Sequence, residues 1–213
     1  DLGASYQVPI ASLALLVVTL INVIGVKWSA IFSSSMTVLK VVGIGIIVVI
    51  CLSYGSNLMD NLVLENPKTT SVSFGLALIG VLWSYGGWHH ASYVAGEVDQ
   101  AHKVVPRALI TGAAIVTATY LLVNVAYLSV MSIEEISTSQ AVATDALLKV
   151  SATGGILVAI LIVLSTFGTA GIYTLSAPRI YYAMGADKVF FPWLADIHPK
   201  FGTPVKAIVL QSG

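Results

Sequence analysis

The sequence has 213 residues, of which 57% are hydrophobic and 9% are charged, and its mean hydropathy is +0.91. Soluble globular domains carry about 25% charged residues, so this composition excludes an ordinary soluble domain and indicates a membrane protein. Ten basic and ten acidic residues cancel, which removes the electrostatic argument for nucleic-acid binding. The single cysteine, Cys51, excludes an internal disulfide framework and a cysteine-built metal site.

The sequence is expected to be an excerpt of a longer polypeptide. It begins with Asp1 rather than methionine, and Gly213 follows shortly after the start of another apolar run. No stretch of it has the organisation of a signal or targeting segment.

Five apolar runs are long enough for a helix to cross a hydrocarbon core of about 30 Å, and a sixth run is beginning where the sequence ends. The predicted spans cover residues 2–26, 32–52, 72–98, 106–131 and 154–184, and the sixth starts at residue 204. The sequence therefore predicts an all-α, polytopic transmembrane helix bundle that forms a single membrane domain over residues 1–213.

The connection between the fourth and fifth spans is predicted to be helical without crossing the membrane. Ser132 and Glu135 match a capping box, in which the serine hydroxyl caps backbone amides and the glutamate reaches back to the start of the helix. An amphipathic helical segment is expected over residues 132–150.

The distribution of lysine and arginine predicts the orientation of the bundle. If the loops after the first, third and fifth spans share a side, that side holds seven basic residues, with Lys40 left out as intramembrane: Lys27, Lys103, Arg107, Arg179, Lys188, Lys200 and Lys206. The other side has Lys68 and Lys149, so the positive-inside rule places the first set in the cytoplasm and segment 132–150 outside.

The third span contains residues that do not suit a lipid-facing helix. From Trp83 to Tyr93 the sequence reads Trp-Ser-Tyr-Gly-Gly-Trp-His-His-Ala-Ser-Tyr. Each of two adjacent glycines disfavours a helix by about 1 kcal/mol relative to alanine, so we predict a broken helix from Tyr85 to His90. The backbone groups freed at such a break require partners from protein or from a polar cavity.

Lys40 lies about eight residues into the second span, deeper than an ordinary helix-end anchor. One interpretation is that its side chain snorkels to the cytoplasmic interface. The other is an ammonium buried against carbonyls and hydroxyls, which could couple proton movement to transport or replace a bound cation. Ser165 and Thr169 are four residues apart and share a helical face that could offer hydroxyl partners to Lys40. Small residues at these positions also favour close helix packing, and the two interpretations are compatible.

The remaining polar residues give weak signals for chemistry. His89 and His90 point about 100° apart on a helix and lack a third ligand at zinc spacing, so a metal site is not favoured over a cavity-lining role. Glu97 could join a proton path or a gate, although a solvated helix-end carboxylate is the simpler interpretation. Nucleophile elbows, phosphate loops and dinucleotide fingerprints are missing from the sequence, so we expect neither an enzyme nor an organic cofactor.

An ordered series of motifs resembles the amino acid-polyamine-organocation transporters, and most closely the L-type amino acid transporters and bacterial amino acid permeases. The series extends across essentially the whole sequence. Its motifs are Trp83-Ser84-Tyr85-Gly86-Gly87-Trp88, Glu97, Val105-Pro106-Arg107-Ala108, Leu164-Ser165-Thr166-Phe167-Gly168, Pro178-Arg179-Ile180-Tyr181-Tyr182-Ala183-Met184, Ile197-His198-Pro199 and Thr203-Pro204-Val205.

This resemblance implies a transporter of about twelve spans built on two inverted five-helix repeats, with the sequence covering about the fourth to the ninth span. In relatives the sixth span breaks at this aromatic-Gly-Gly sequence, and its carbonyls receive the α-amino group of the substrate. The implied substrate-binding residues are Trp83, Ser84, Tyr85, Gly86, Gly87 and His89, with the Trp83 ring as a gate. The resemblance also implies that the Lys40 ammonium occupies the place that sodium takes in sodium-coupled members, with Ser165 or Thr169 as its partner.

Two features depart from the family pattern. Gln100 and Ala101 stand where relatives commonly have Asn-Pro, which leaves the geometry of that cytoplasmic loop open. The resemblance also implies that amide groups of a broken first span hold the substrate carboxylate. That span is not part of this sequence.

The predicted function is secondary active transport of amino acids by alternating access, either as sodium-independent exchange or as proton-coupled uptake. The alternatives are a permease for polyamines or other amines, which would want carboxylates in mid-span, and a non-transporting membrane receptor or scaffold on the same fold. The expected partners are an amino acid, the lipid bilayer of a cell membrane and, for proton-coupled uptake, protons. The sequence does not specify an accessory subunit.

Overall fold

The computed structural model describes residues 4–56, 58–62 and 71–212. These residues form helices and their connections, with no strand among them. The helices are α1 (Ala4–Ile24), α2 (Val26–Tyr54), α3 (Leu58–Asn61), α4 (Ser71–Ser84), α5 (His90–Tyr93), α6 (Ala101–Val130), α7 (Ile133–Thr138), α8 (Val142–Val150), α9 (Gly154–Ala186) and α10 (Val205–Ser212). Short 3₁₀ turns cover Ala95–Glu97 and Pro192–Ala195. The all-α class is therefore confirmed.

Four of these helices are long and apolar enough to cross a bilayer. The qualifying segments are Tyr6–Ile24, Val26–Tyr54, Ala101–Val130 and Gly154–Ala186. Helix α4 is apolar but has 14 residues, because the helix of the predicted third span stops at Ser84. The predicted start of the first span at residue 2 and the basic residue Lys68 lie outside the described residues. The membrane boundaries and the orientation stay predictions.

The predicted helix break is present and is one residue shorter than expected. Turns occupy residues 85–89, and His90 already begins α5. Helix α6 begins at Ala101, before the predicted start of the fourth span at residue 106, so Pro106 lies in its second turn.

The described chain forms two compact units. The first takes its described residues from Asp1–Lys40, His90–Val98 and Ile162–Gly213, and the second from Val41–His89 and Asp99–Leu161. The chain therefore passes from the second unit to the first between His89 and His90, at the end of the break.

In the first unit, α10 packs against α1. The hydroxyl of Thr203, which is buried, donates a hydrogen bond of 2.9 Å to the carbonyl of Val23 at the end of α1. The rings of Phe32 and Phe167 meet edge to face with centroids 5.4 Å apart, which joins the first part of α2 to α9.

In the second unit, a hydrophobic core gathers α2, α6, α8 and the start of α9. Its buried members are Ile47, Cys51, Ala126, Met131, Ala146, Leu147 and Val158. The predicted capping box is present: Ser132 Oγ accepts from the backbone N–H of Glu135, and the Glu135 carboxylate accepts from the backbone N–H of Ser132. The predicted helical segment 132–150 contains two helices, α7 and α8.

Candidate functional site

The break after α4 is shaped by local backbone hydrogen bonds and by glycine. The N–H of Tyr85 is shared between the carbonyls of Val81 and Leu82, both at 3.3 Å, and the N–H of Gly86 donates to the carbonyl of Trp83 at 3.0 Å. Gly87 follows with a φ of +99°, a conformation that disfavours any residue with a Cβ atom. These contacts close the end of α4 and turn the chain away from the helix axis.

Helix α6 supplies the next contacts at the break, all within the second unit. The hydroxyl of Tyr120 donates to the carbonyl of Ser84 at 2.7 Å, and the hydroxyl of Tyr85 donates to Thr117 Oγ1 at 2.9 Å. The rings of Tyr85 and Tyr120 meet edge to face with centroids 5.4 Å apart. The carbonyls of Trp83 and Ser84 thus each accept one hydrogen bond and retain a second lone pair.

The side chains of Trp83, Ser84 and His89, which are predicted to bind substrate, have different surroundings. Trp83 is 86% exposed. Ser84 Oγ donates back to the carbonyl of Gly80 at 2.9 Å, so its hydroxyl belongs to α4. The ring of His89 lies edge to face with that of Trp88, with centroids 6.2 Å apart.

Lys40 belongs to the first unit, and one of its predicted partners lies beside it. Lys40 Nζ donates to Thr169 Oγ1 at 2.9 Å, and Thr169 Oγ1 donates to the carbonyl of Ser165 at 2.8 Å. Thr169 therefore contacts the ammonium directly, whereas Ser165 orients the hydroxyl through its backbone. The threonine hydroxyl has one hydrogen, which points at Ser165, so its lone pairs face Lys40.

Close helix packing surrounds this contact. Gly168 is buried, and a Cβ atom added to it would lie 2.7 Å from Met36 Cβ and 3.4 Å from Lys40 Cε. A Cβ atom at Gly171 would lie 2.5 Å from Phe32 Cε1. Small residues thus permit close helix packing here, and Thr169 also offers its hydroxyl to Lys40.

The predicted site residues thus divide between the two units. The substrate-binding set, from Trp83 to His89, lies in the second unit, and Lys40, Ser165 and Thr169 lie in the first. Each set is described within its own unit, and the roles of both sets in transport stay predictions.

Two polar contacts of the first unit were not predicted from the sequence. Arg179 is 7% exposed and binds Glu97 with both ends of its guanidinium, at 2.8 Å from Nε and 3.1 Å from Nη2, while Nη1 donates to the carbonyl of Leu175. Glu97 is thus paired rather than simply solvated. Nδ1 of His90 lies 2.8 Å from Ser176 Oγ. The signal for the ion pair was an arginine within an apolar helix, because a buried guanidinium requires a carboxylate.

The contacts of Thr117 and Tyr120 were also not predicted from the sequence. The two residues lie in the middle of α6, three apart and therefore on one face. A metal site is not formed by the part of the chain that the structure describes, where no three histidine, cysteine, aspartate or glutamate side chains converge.

Comparison with known proteins identifies relatives along the whole chain. The sequence profile of the amino acid permease family matches residues 4–213. The serine/threonine exchanger SteT of Bacillus subtilis (strain 168) is 33% identical over 213 residues, which cover 98% of this chain and 48% of that protein.

Two mammalian relatives match at nearly the same sequence identity. The b(0,+)-type amino acid transporter 1 of Mus musculus is 29% identical over 203 residues, covering 94% of this chain and 42% of that protein. The large neutral amino acids transporter small subunit 2 of Homo sapiens is 30% identical over 207 residues, covering 94% of this chain and 38% of that protein. The chain spans less than half the length of each of these three relatives.

The family match agrees with the four long apolar helices and with the motif series of the sequence. The chain is therefore an integral membrane protein and belongs to the amino acid permease family.

Proposed function

We propose that this chain is the part of a secondary transporter that receives the amino group of an amino acid, and that the transporter works by alternating access. The observation that carries the proposal is the helix break at Ser84, where an apolar helix ends in mid-sequence with carbonyl groups directed out of its last turn. The carbonyl end of a helix has a partial negative charge, which stabilises a cation such as an ammonium. Transporters of discontinuous-helix design bind substrates at such half-helix ends.

The proposed contacts to the ammonium are the carbonyls of Trp83, Ser84 and Gly86. The carbonyls of Trp83 and Ser84 each accept one hydrogen bond within the protein, so each offers one further lone pair to the substrate. Gly87 gives the chain its turn, and Tyr85 fixes the turn to α6. The exposed Trp83 ring has the freedom to close over a bound substrate as a gate, with His89 on the polar side of the site.

The names of the relatives support an amino acid as the ligand. Their names describe serine/threonine exchange, b(0,+)-type amino acid transport and large neutral amino acid transport. The carboxylate of such a substrate requires donors beyond the carbonyl end of α4, and the resemblance assigns these to a broken first span.

Sodium independence is proposed from Lys40. Its ammonium already donates to Thr169 Oγ1, a hydroxyl oxygen of the kind that coordinates sodium. A fixed cation there would make a bound sodium ion unnecessary. Uptake would then be driven by exchange or by protons, in a cell membrane with the basic loops in the cytoplasm.

The test is uptake by the full-length polypeptide in proteoliposomes. Radiolabelled amino acids and a polyamine are offered with and without external sodium, internal amino acid and a pH gradient. Amino acid uptake that ignores sodium is the expected result, and dependence on internal amino acid or on the pH gradient separates exchange from proton coupling. Uptake of the polyamine alone would identify an amine permease, and binding without uptake would indicate a receptor or scaffold. Either outcome would refute the proposal.

A further inference from the structure

The carbonyls at the end of α4 are satisfied in two different ways. Those of Val81, Leu82 and Trp83 accept from backbone N–H groups of the turn that follows. The carbonyl of Ser84 is the last of the helix, and it accepts instead from the hydroxyl of Tyr120 at 2.7 Å. Its partner is thus a side chain of another helix, 36 residues further along the chain.

A second contact fixes the first residue of the break. Thr117 Oγ1 donates its one hydrogen to the carbonyl of Ala113 at 2.8 Å, so it accepts the hydrogen bond from the hydroxyl of Tyr85. Because the Thr117 hydroxyl donates to Ala113, the Tyr85 hydroxyl is the donor in the bond between Tyr85 and Thr117. The edge-to-face contact of the Tyr85 and Tyr120 rings adds a geometric constraint between the same two elements.

Thr117 and Tyr120 lie three residues apart on one face of α6, and both contact the residues at which α4 ends. A helix break without such partners would leave a free carbonyl that turns with the chain. Here one lone pair of the Ser84 carbonyl accepts from Tyr120, which fixes the orientation of the carbonyl. Its second lone pair can accept one further hydrogen bond.

We propose that Thr117 and Tyr120 are positioning residues that determine how the break receives an amine, an inference that rests on the proposed function. Tyr120 fixes the direction of the Ser84 carbonyl, and Thr117 holds the chain that follows it. A primary ammonium has three donors that can adapt to one open lone pair, whereas an N-methylated ammonium has fewer donors and more bulk. The clamp therefore favours primary amino acids over their N-methyl counterparts.

The experiment measures uptake kinetics of the full-length polypeptide in proteoliposomes with a transported amino acid and its N-methyl derivative. Tyr120→Phe removes the donor and keeps the ring. We expect the apparent KM for the amino acid to rise about 5- to 10-fold, as for loss of a site-orienting hydrogen bond, with Vmax per reconstituted protein little changed. The preference for the amino acid over its N-methyl derivative should shrink. Thr117→Val should raise KM about 2- to 3-fold, and Thr117→Ser should restore it.

The matched control is Tyr127→Phe, the same substitution two turns along α6, in a residue that packs beside the hydrophobic core instead of the break. It should leave KM and the N-methyl preference at their wild-type values.

The outcomes separate this inference from the proposed function. Wild-type uptake of amino acids with an unchanged KM in Tyr120→Phe, or with a loss of Vmax alone, would overturn the positioning role and leave the transport proposal standing. A wild-type protein that takes up no amino acid would overturn both. If Tyr120→Phe does not reach the membrane, the Thr117→Val and Thr117→Ser pair decides, and equal KM values in both would overturn the inference.

Discussion

The break at Ser84 and the contact at Lys40 both depart from plain apolar helices, and they are stabilised by different physics. The break is held by backbone hydrogen bonds, a glycine with positive φ and two hydroxyl contacts from α6, while Trp83 beside it is largely exposed. The Lys40 contact lies among close-packed small residues, where Gly168 has no room for a side chain. A substitution at the break should therefore act on substrate affinity, and a substitution near Lys40 on coupling or on helix packing.

The largest effect is expected for Lys40→Ala. This change removes the ammonium that donates to Thr169 Oγ1 and leaves that hydroxyl without its cationic partner. Uptake should be abolished, or should lose its dependence on exchange or on the pH gradient, in the proteoliposome assay. Lys27→Ala, at the start of α2, is the control and should transport normally. Uptake with an unchanged pH dependence in the Lys40 variant would end the coupling role.

Gly168→Ala tests the packing half of the comparison. The added Cβ atom would lie 2.7 Å from Met36 Cβ, so the two helices must separate, at a cost of about 1–3 kcal/mol in the free energy of unfolding. A lower thermal midpoint in detergent is the expected result. Gly45→Ala on α2 has open space around it and should be neutral or slightly stabilising, because alanine favours helices more than glycine does. Equal midpoints for the two variants would argue against tight packing at Gly168.

Gly87→Ala tests the conformational half. At a φ of +99° an alanine is strained by roughly 1–2 kcal/mol, which the chain can relieve by reshaping the break. The apparent KM for an amino acid should therefore rise about tenfold, with a smaller change in the thermal midpoint. Gly80→Ala, within α4 and facing open space, is the matched control and should keep the wild-type KM. If Gly87→Ala lowered the thermal midpoint but left KM at its wild-type value, the break would not be part of the substrate site.

The sequence predicted those features that depend on neighbouring residues. The glycine pair predicted the break, Ser132 and Glu135 predicted the capping box, and the spacing of Ser165 and Thr169 placed a hydroxyl where Lys40 meets it. Each of these follows from backbone propensity or helical periodicity within about one turn.

The contacts that the sequence did not predict join residues far apart along the chain. Tyr120 meets Ser84 across 36 residues, and Arg179 meets Glu97 across 82. Local patterns indicate that a tyrosine or an arginine in an apolar helix needs a partner, but the choice of partner depends on helix packing. The roles of Lys40 and of the break in transport stay predictions, because they concern a substrate and a transport cycle.

The capping box of Ser132 and Glu135 lies in the same unit as the break, and the ion pair of Glu135 with Lys149 is exposed. We expect substitutions there to have the smallest effect. Hydrogen bonds from the Lys149 ammonium and from the Ser132 backbone N–H lower the pKa of the Glu135 carboxyl. A carboxyl with a lowered folded-state pKa contributes stability above its unfolded pKa, and that contribution is lost as the pH falls through the folded value. Both side chains are over 40% exposed, so we expect less than about 1 kcal/mol.

The measurement is the thermal midpoint in detergent at neutral and at acid pH. Glu135→Gln should lower the midpoint slightly at neutral pH and weaken the loss seen on acidification, because the substituted side chain cannot be protonated. Glu134→Gln is the neighbouring control, and it changes a carboxylate outside the capping box. The KM for an amino acid should be unchanged in both variants, since this site contacts neither the break nor Lys40. A shift in KM for Glu135→Gln alone would mean that helices α7 and α8 are coupled to the break, and that this ion pair contributes to substrate affinity as well as to stability.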